Sequence, residues 1–193
     1  MSDEVLKNTI VLITGASNGI GRATARLLAR KGATIAIGYH ANKERAVAVL
    51  ESLPDAKHSI IQVDISNPKS VKKMAEKIKN SYGKLDVLVN SAGLTQPIPH
   101  KDLETLDEKV FDKLLQLNAG GPFSVIRHHI DLLKKANQSV VINVSSISAF
   151  TGSGSNIAYC AAKGALDTMT KSFARVFGPE IRFLCVSPAA VAT

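Results

Sequence analysis

The 193-residue sequence has no tryptophan, only two cysteines, and no apolar run near the roughly 20 residues that a membrane-spanning helix needs. Its first residues, MSDEVLKN, lack the basic, apolar and small-residue order of an export signal. Cys160 and Cys185 lie in apolar segments without a CxxC spacing, which indicates reduced thiols and neither a disulfide nor a metal site. These absences predict a cytoplasmic protein without structural metal or membrane association.

Aromatic residues are also scarce, at 5% of the sequence, whereas 24 basic against 16 acidic residues give a net charge of +8. Such a charge suits an anionic partner, whether nucleotide, acidic substrate or nucleic acid. Nucleic-acid modules usually add aromatic stacking platforms or a reading motif, so a nucleic-acid partner is not expected. Basic residues recur at helical spacing in two stretches, Arg22 to Arg30 and Lys69 to Lys79, which is typical of solvated helix faces.

Apolar runs and amphipathic stretches alternate along the whole chain, whose length and 45% hydrophobic content fit one globular domain. The predicted strands are Thr9–Thr14, Thr34–Gly38, Ser59–Val63, Leu85–Asn90, Ser139–Val144 and Ile181–Ser187. The predicted helices are Gly19–Lys31, Asn42–Leu53, Pro68–Tyr82, Leu106–Asn137 and Ala158–Phe177. This alternation predicts a parallel sheet with helices on both faces and a ligand site beyond the carboxyl ends of the strands.

Asparagine, proline and glycine predict where individual helices begin, end or bend. Asn67 followed by Pro68 is typical of a helix start, and Gly83 is typical of a helix end. The long fourth helical stretch contains the sequence AGGP directly after Asn118. Because proline and glycine interrupt helices, we expect a kink near Asn118.

The first predicted strand runs into the sequence TGASNGIG at positions 14–21 and then into a helix. This order lets backbone N–H groups and a helix dipole face a pyrophosphate. The spacing is G-x-x-x-G-x-G, a looser turn than the usual G-x-G-x-x-G, so Ser17 and Asn18 offer side-chain hydrogen bonds of their own. We therefore expect dinucleotide phosphates at this glycine turn.

The end of the second predicted strand reads GYHANK and contains no acid. A carboxylate there would hold the ribose 2′-OH of NAD and repel a 2′-phosphate, whereas His40, Asn42 and Lys43 tolerate or attract one. The sequence therefore favours NADP over NAD. Asp64, after the third strand, accepts a hydrogen bond from the adenine amino group or serves as a helix N-terminal acid.

Two further motifs follow the fourth and fifth predicted strands. The sequence NSAG begins at Asn90, whose amide can tie neighbouring strands together, and its small residues let the backbone pass close to a flat ligand. After Ser146, at the end of the fifth strand, Tyr159 and Lys163 occupy positions i and i+4, which share one face of a helix. Phenol and ammonium can therefore share a site.

The chemistry predicted for this cluster follows from charge. A tyrosine with a pKa near 10 would lose its proton more readily beside Lys163 and the positive nicotinamide of an oxidised cofactor, with the pKa lowered by roughly two to three. Tyr159 would then act as acid and base, Ser146 would hydrogen-bond the substrate oxygen, and the kink at Asn118 would hold a water between Lys163 and solvent. The alternative is an amphipathic core tyrosine, a solvated lysine and a capping serine.

With these motifs the sequence resembles the short-chain dehydrogenase/reductase family over residues 8–193, in particular its cytosolic branch with the beta-ketoacyl-carrier-protein reductases. The TGASNGIG turn matches the family's T-G-x-x-x-G-x-G, NSAG its N-x-A-G, and Tyr159 with Lys163 its Y-x-x-x-K. Asn118 matches its helix asparagine and Ser146 its catalytic serine. The resemblance implies a Rossmann-like, doubly wound parallel sheet of three layers in the order 3-2-1-4-5-6, with NAD(P)-dependent hydride transfer to a ketone or from a secondary alcohol.

The motifs and the resemblance predict roles for individual residues. The catalytic set is Asn118, Ser146, Tyr159 and Lys163. The expected cofactor contacts are Gly15, Ser17, Asn18, Gly19, Ile20, Gly21, Tyr39, His40, Asp64, Ile65, Asn90, Ala92, Gly93, Tyr159, Lys163, Pro188 and Thr193. The expected substrate contacts are Gln96, Ser146, Ser148 and Tyr159, with Phe150 as a further candidate. The resemblance also implies a homodimer or homotetramer.

Other features of the sequence depart from the family or lie outside its motifs. The family's Pro-Gly after the sixth strand reads Pro188-Ala189 here, and the sequence ends at Thr193, where relatives continue through a helical lid and a seventh strand. We therefore expect an incomplete copy of a longer protein; the alternative is a true short form with an open substrate side. The competing hypothesis is a non-catalytic module that binds NADP(H) or an acidic partner. The adjacent His128 and His129 are predicted at the surface or an interface, and Cys160 is predicted to face away from Tyr159.

Overall fold

The computed structural model describes residues 5–191, in which strands and helices alternate along the chain. The strands are β1 (Ile10–Thr14), β2 (Thr34–Tyr39), β3 (Ser59–Gln62), β4 (Val87–Asn90), β5 (Ser139–Val144) and β6 (Ile181–Val186). The helices are α1 (Gly19–Arg30), α2 (Lys43–Glu51), α3 (Pro68–Tyr82), α4 (Glu108–Leu115), α5 (Gly121–Lys134), α6 (Ser148–Thr151) and α7 (Ile157–Phe177). Every predicted strand and helix is present within one or two residues of an end, apart from the split fourth helix and the unpredicted α6.

All six strands of the described residues pair in parallel, in the order β3-β2-β1-β4-β5-β6. The predicted doubly wound topology is confirmed. The order reverses at β1 and β4, and a doubly wound sheet binds ligands at the carboxyl edge of that reversal. Thr14 pairs with Gly38 on β2 and with Asn90 on β4, so the strand ends that carry the predicted motifs lie side by side.

Each face of the sheet carries its own apolar core. Successive residues of β1 point to opposite faces, so Leu12 packs with Met74 of α3 and Ile126 of α5, whereas Ile13 packs with residues of α1 and α2 such as Ala25. The sheet is therefore the middle of three layers. Within residues 5–191 no helix combines the length and the apolar character that crossing a membrane requires.

The helix boundaries follow the local signals of the sequence. The Asn67 side chain accepts hydrogen bonds from the first backbone N–H groups of α3, with Pro68 in the first turn, and Gly83 ends this helix in the left-handed conformation at φ 75°. The predicted kink near Asn118 is a π-helical turn, Gln116–Gly120, that separates α4 from α5.

The prediction that both adjacent histidines lie at the surface or an interface is wrong for His129, whose side chain on α5 is completely buried within the chain. Its ring Nδ1 lies 2.8 Å from the carbonyl oxygen of Val125, and its Nε2 has no hydrogen-bond partner among the described residues. His128, about 100° further round the helix, is half-buried. Burial lowers the pKa of His129 to about 4, so this imidazole is neutral in the folded chain near pH 7.

We expect His129 to make the protein less stable in acid. Between pH 6.5 and about 4 the unfolded chain protonates this imidazole and the folded chain does not, so stability falls as the pH falls through this window. The expected loss between pH 7 and pH 4 is about 3 kcal/mol from this group. Urea unfolding of wild type and His129→Gln at both pH values measures it, because carboxyl contributions cancel in the difference. Equal losses in the two proteins would contradict this role.

Candidate active site

A cleft of about 930 Å³ opens at the carboxyl edge of the sheet. Its walls come from the turn after β1, the loops after β2, β4 and β5, the first turns of α7, and the segment after β6. The predicted site residues that line it are Gly15, Ser17, Asn18, Gly19, Ile20, His40, Ala92, Gly93, Asn118, Ser146, Ser148, Tyr159, Lys163 and Pro188. The fold thus brings most of the predicted site together in one cleft.

The glycine turn after β1 has no room for a side chain at Gly15 or Gly21. Gly15 is left-handed at φ 71°, and a Cβ on it would lie 2.9 Å from the backbone nitrogen of Ala92. A Cβ on Gly21 would lie 2.5 Å from the carbonyl oxygen of Gly15. Gly19 and Ile20, the first residues of α1, line the cleft, so the N-terminal end of this helix faces it. This backbone cradle at a helix N-terminus fits the pyrophosphate of a dinucleotide.

A chain of buried amides joins β4, β5 and α7 behind the cleft. Asn90 Nδ2 donates to Asn143 Oδ1 at 2.9 Å, and Asn143 Nδ2 donates to Thr170 Oγ1 at 2.8 Å. The prediction that Asn90 ties neighbouring strands together is confirmed. Asn143 and Thr170 were not predicted to take part, because their partners lie on elements distant in the sequence.

Asn118 holds the loop after β4 against the π-helical turn. Its Nδ2 donates to the carbonyl oxygens of Leu94 at 2.7 Å and Leu114 at 2.9 Å, and its Oδ1 accepts from the Leu94 N–H at 3.3 Å. A Cβ on Gly93 would lie 2.7 Å from Asn118 Oδ1 and 3.8 Å from Lys163 Nζ. A side chain at position 93 would therefore meet Asn118, whereas glycine lets the Asn118 and Lys163 side chains approach this part of the backbone.

The Lys163 side chain reaches the cleft from α7 and is only 6% exposed. Its ammonium donates to the carbonyl oxygen of Val144 at 2.7 Å and lies 5.6 Å from the ring centre of Tyr159. Burial lowers the pKa of Lys163 to about 8, although the nearby Asp167 opposes this shift. The group therefore remains mostly protonated near pH 7, with its charge beside the tyrosine ring.

The predicted decrease in the pKa of Tyr159 is not found for the chain by itself. Burial raises the pKa of this phenol above its ordinary value, and a hydrogen bond with Ser146 only partly offsets the increase. The reason is geometric, because the Lys163 ammonium donates to the Val144 carbonyl and lies over the tyrosine ring. At neutral pH the Tyr159 hydroxyl therefore keeps its proton.

Ser146 and Ser148 form a pair of buried hydroxyls next to Tyr159. Ser146 Oγ lies 3.1 Å from Ser148 Oγ and accepts a hydrogen bond from the Ser148 N–H at 3.2 Å. Burial raises the pKa of the neighbouring Cys160 thiol, and Ser148 partly offsets this increase. The short helix α6, which the sequence analysis missed, carries Ser148 over the first turn of α7.

Asn156, which was not predicted, positions two elements of the site. Its buried Oδ1 accepts from the Tyr159 N–H at 2.7 Å and caps α7, and its Nδ2 donates to the carbonyl oxygen of Gln96 at 2.7 Å. One side chain thus fixes both the helix that carries Tyr159 and the loop after β4. Asparagine directly before a helix is a recognisable cap signal, but the bond to Gln96 depends on tertiary packing.

Three residues predicted at the adenosine end of the cofactor do not line the cleft. The Tyr39 and Ile65 side chains are buried in the apolar cores, because they point from the strand ends towards the helices. Asp64 accepts hydrogen bonds from the Ser66 N–H at 2.9 Å and the Ser66 hydroxyl at 2.6 Å, which lower the pKa of this carboxyl.

Other predicted contacts also lie outside the cleft lining. The Gln96 side chain is exposed and only its carbonyl oxygen is fixed, and Phe150 is 71% exposed on α6. Gly21 and Asn90 act one layer behind the cleft, through the close approach to Gly15 and the bond to Asn143. Thr193 lies outside the described residues.

The doubly wound sheet and this cleft define a Rossmann-type protein, and comparisons with known proteins specify which kind. The family model for short chain dehydrogenases matches residues 9–193, so the chain belongs to the short-chain dehydrogenase family. Its members are oxidoreductases that use a nicotinamide cofactor and act on alcohols or ketones, and this chain is an oxidoreductase of that kind.

Individual relatives match over nearly the whole chain. The chain is 32% identical over 191 residues to the 3-oxoacyl-acyl-carrier-protein reductase FabG of Thermotoga maritima, covering 97% of this chain and 76% of that protein. It is 30% identical over 189 residues to the secoisolariciresinol dehydrogenase of Forsythia intermedia, covering 97% and 68%. A solved dehydrogenase/reductase from Sinorhizobium meliloti 1021 superposes with a TM-score of 0.90 at 31% identity, covering 100% of this chain and 76% of that one.

Proposed function

We propose that the chain transfers a hydride between NADP and a ketone or secondary alcohol, with Tyr159 as the acid and base. The observation that carries this proposal is the placement of Tyr159, Lys163 and Ser146 in the same cleft as the glycine turn. A cofactor anchored at this turn by its pyrophosphate would extend along the cleft towards these side chains. The substrate is a small molecule, and the names of the relatives, a 3-oxoacyl-acyl-carrier-protein reductase and a secoisolariciresinol dehydrogenase, do not select one class for this chain.

When bound, the nicotinamide cofactor supplies or accepts the hydride and, when oxidised, carries a positive charge on its ring. Ser146 donates a hydrogen bond to the substrate oxygen. The Tyr159 hydroxyl, protonated because burial raises its pKa, gives its proton to that oxygen as the ketone is reduced. The Lys163 ammonium, 5.6 Å from the ring centre, stabilises the phenolate that forms. Asn118 keeps the loop after β4 in place.

The residues that follow β2 support a preference for NADP. His40 and Ala41 line the cleft there, and the described lining contains no carboxylate that would hold a ribose 2′-OH and repel a 2′-phosphate. We expect kcat/KM with NADPH to exceed that with NADH by about tenfold or more, which corresponds to about 1.4 kcal/mol. Steady-state kinetics with both reduced cofactors and one ketone measure this ratio. A preference for NADH would contradict the assignment.

Turnover itself is tested with a panel of 3-ketoacyl thioesters, cyclic ketones and steroid ketones, following NADPH consumption, and with the matching alcohols and NADP. We expect reduction of at least one class. Binding of NADPH without turnover of any member in either direction would contradict the proposal and favour a non-catalytic binding module instead.

The proposal also covers assembly and location. Phe123 on α5 and Val176 on α7 are 47% and 72% exposed, which supports a homodimer or homotetramer that buries these helices. Both cysteines are free, as in proteins of a reducing compartment, which supports a cytoplasmic location.

A further inference from the structure

A second cavity of about 470 Å³ lies beside the cleft, between α1 and α2. The residues that line it are Ser17, Asn18, Arg22, Arg26, Arg45, Ala48 and Val49. Ser17 and Asn18 also line the cleft, so the two spaces meet at the glycine turn. Two of the arginines that the sequence suggests as a solvated helix face therefore line a concave site.

Local structure brings the three arginines together. Arg22 and Arg26 lie one helical turn apart on α1, whose first turn is set by the Arg22 N–H donating to the carbonyl oxygen of Asn18 at 3.0 Å. Arg45 lies in the first turn of α2, where its N–H donates to Asn42 Oδ1 at 2.7 Å. The cavity thus lies between α1 and α2, beside the glycine turn.

The charge in this cavity is not neutralised by the protein. Among residues 5–191 no carboxylate forms an ion pair with Arg22, Arg26 or Arg45, and none lines the cavity. The only side-chain hydrogen bond of the three within the described residues runs from Arg26 Nε to Ser52 Oγ, at 3.0 Å. Guanidinium groups that line one cavity without a counter-charge favour an anion there, and their paired N–H donors match the oxygens of a phosphate.

The position of the cavity indicates which phosphate of a dinucleotide could bind there. In a doubly wound fold the ribose next to the adenine lies between the first glycine turn and the end of the second strand. Here that place is bordered by Asn18 and His40, and the arginine cavity opens from it through Ser17 and Asn18. The turn itself contains no basic residue, so the basic groups nearest to a 2′-phosphate are His40 and the arginines of the cavity.

We propose that Arg22 and Arg45, with Arg26 behind them, bind the 2′-phosphate of NADP and set the preference for NADP over NAD. This inference rests on the proposed function, since it assumes that the dinucleotide lies along the cleft. It assigns the main part in cofactor selection to arginines of α1 and α2, whereas the loop after β2 contributes His40 and the absence of a carboxylate.

The test uses adenosine 2′,5′-diphosphate and 5′-AMP, which differ only in the 2′-phosphate and need no turnover. Calorimetric titration compares the wild type, Arg22→Gln, Arg45→Gln, the double variant and Arg30→Gln. Arg30 is the matched control because it continues the same series on α1, is exposed, and does not line the cavity. We expect the wild type to prefer the diphosphate at least tenfold, each cavity variant to lose about tenfold of this preference, and Arg30→Gln to keep it.

Three results would overturn the proposal: a double variant that keeps the wild-type preference, an equal loss for Arg30→Gln, or a wild type that does not distinguish the two nucleotides. Retained 5′-AMP binding shows that a variant is folded. Failure of the proposed function would give a different result. If the chain bound the diphosphate through these arginines but reduced no ketone, only the catalytic proposal would be refuted.

Discussion

Tyr159→Phe is expected to lower kcat for ketone reduction by about 10² to 10⁴-fold, the usual contribution of a positioned general acid. The ring remains, so the Lys163 contact at 5.6 Å and the packing of α7 are preserved while the proton donor is removed. Cofactor binding, which depends on the glycine turn, is expected to change less than about threefold. Single-turnover kinetics together with NADPH titration separate the two quantities.

The matched control for this variant is Tyr82→Phe. The Tyr82 hydroxyl also makes hydrogen bonds, to the Lys57 carbonyl oxygen and to Ser59 Oγ, but it lies at the end of α3, away from the cleft. Its removal should reduce stability by about 1 kcal/mol and leave kcat unchanged. If Tyr159→Phe retained the turnover of the wild type, the acid and base role would have to be given up.

Gly21→Ala is expected to weaken NADPH binding by at least about tenfold and to lower the free energy of unfolding by about 1 to 3 kcal/mol. A Cβ at this position would lie 2.5 Å from the carbonyl oxygen of Gly15, which is backbone and cannot rotate away. The turn must therefore open, and the N–H groups that face the pyrophosphate lose their arrangement.

Gly83→Ala is the matched control for Gly21→Ala, because it adds backbone strain at a position away from the glycine turn. Gly83 has a φ of 75°, and a Cβ added there would have no neighbouring atom within 4 Å. Alanine at this position therefore costs about 1 kcal/mol of backbone strain but meets no other group. We expect this variant to bind NADPH like the wild type, as measured by fluorescence titration alongside urea unfolding. Unchanged NADPH affinity in Gly21→Ala would show that the turn does not hold the pyrophosphate.

The fold could be predicted because its signals are local. Short β-branched runs predict β1 to β6, Asn67 and Gly83 predict the ends of α3, and the glycine turn predicts the start of α1. Each of these depends on neighbours in the chain. The parallel order then follows from the alternation of strands and helices and from the family resemblance.

The position of the candidate site could be predicted from the sequence. The pKa of Tyr159 and the contacts between its elements could not. The spacing of Tyr159 and Lys163 predicts a shared helix face, but it does not show that burial outweighs the ammonium and raises the phenol pKa. The bond from Asn156 to the loop after β4 and the arginine cavity depend on contacts between loops and helices distant in sequence. His129 shows the same limit, because the neighbours of α5 decide which of two adjacent histidines is buried.

The central claim is that a nicotinamide cofactor held at the glycine turn gives its hydride to a carbonyl carbon while Tyr159 protonates the oxygen. Mass spectrometry of the alcohol formed from a ketone and NADPH deuterated at the transferable C4 position tests it most directly. We predict one deuterium on the carbinol carbon with the wild type, and almost no alcohol in the same time with Tyr159→Phe. Alcohol without deuterium, or equal amounts of deuterated alcohol from both proteins, would contradict it.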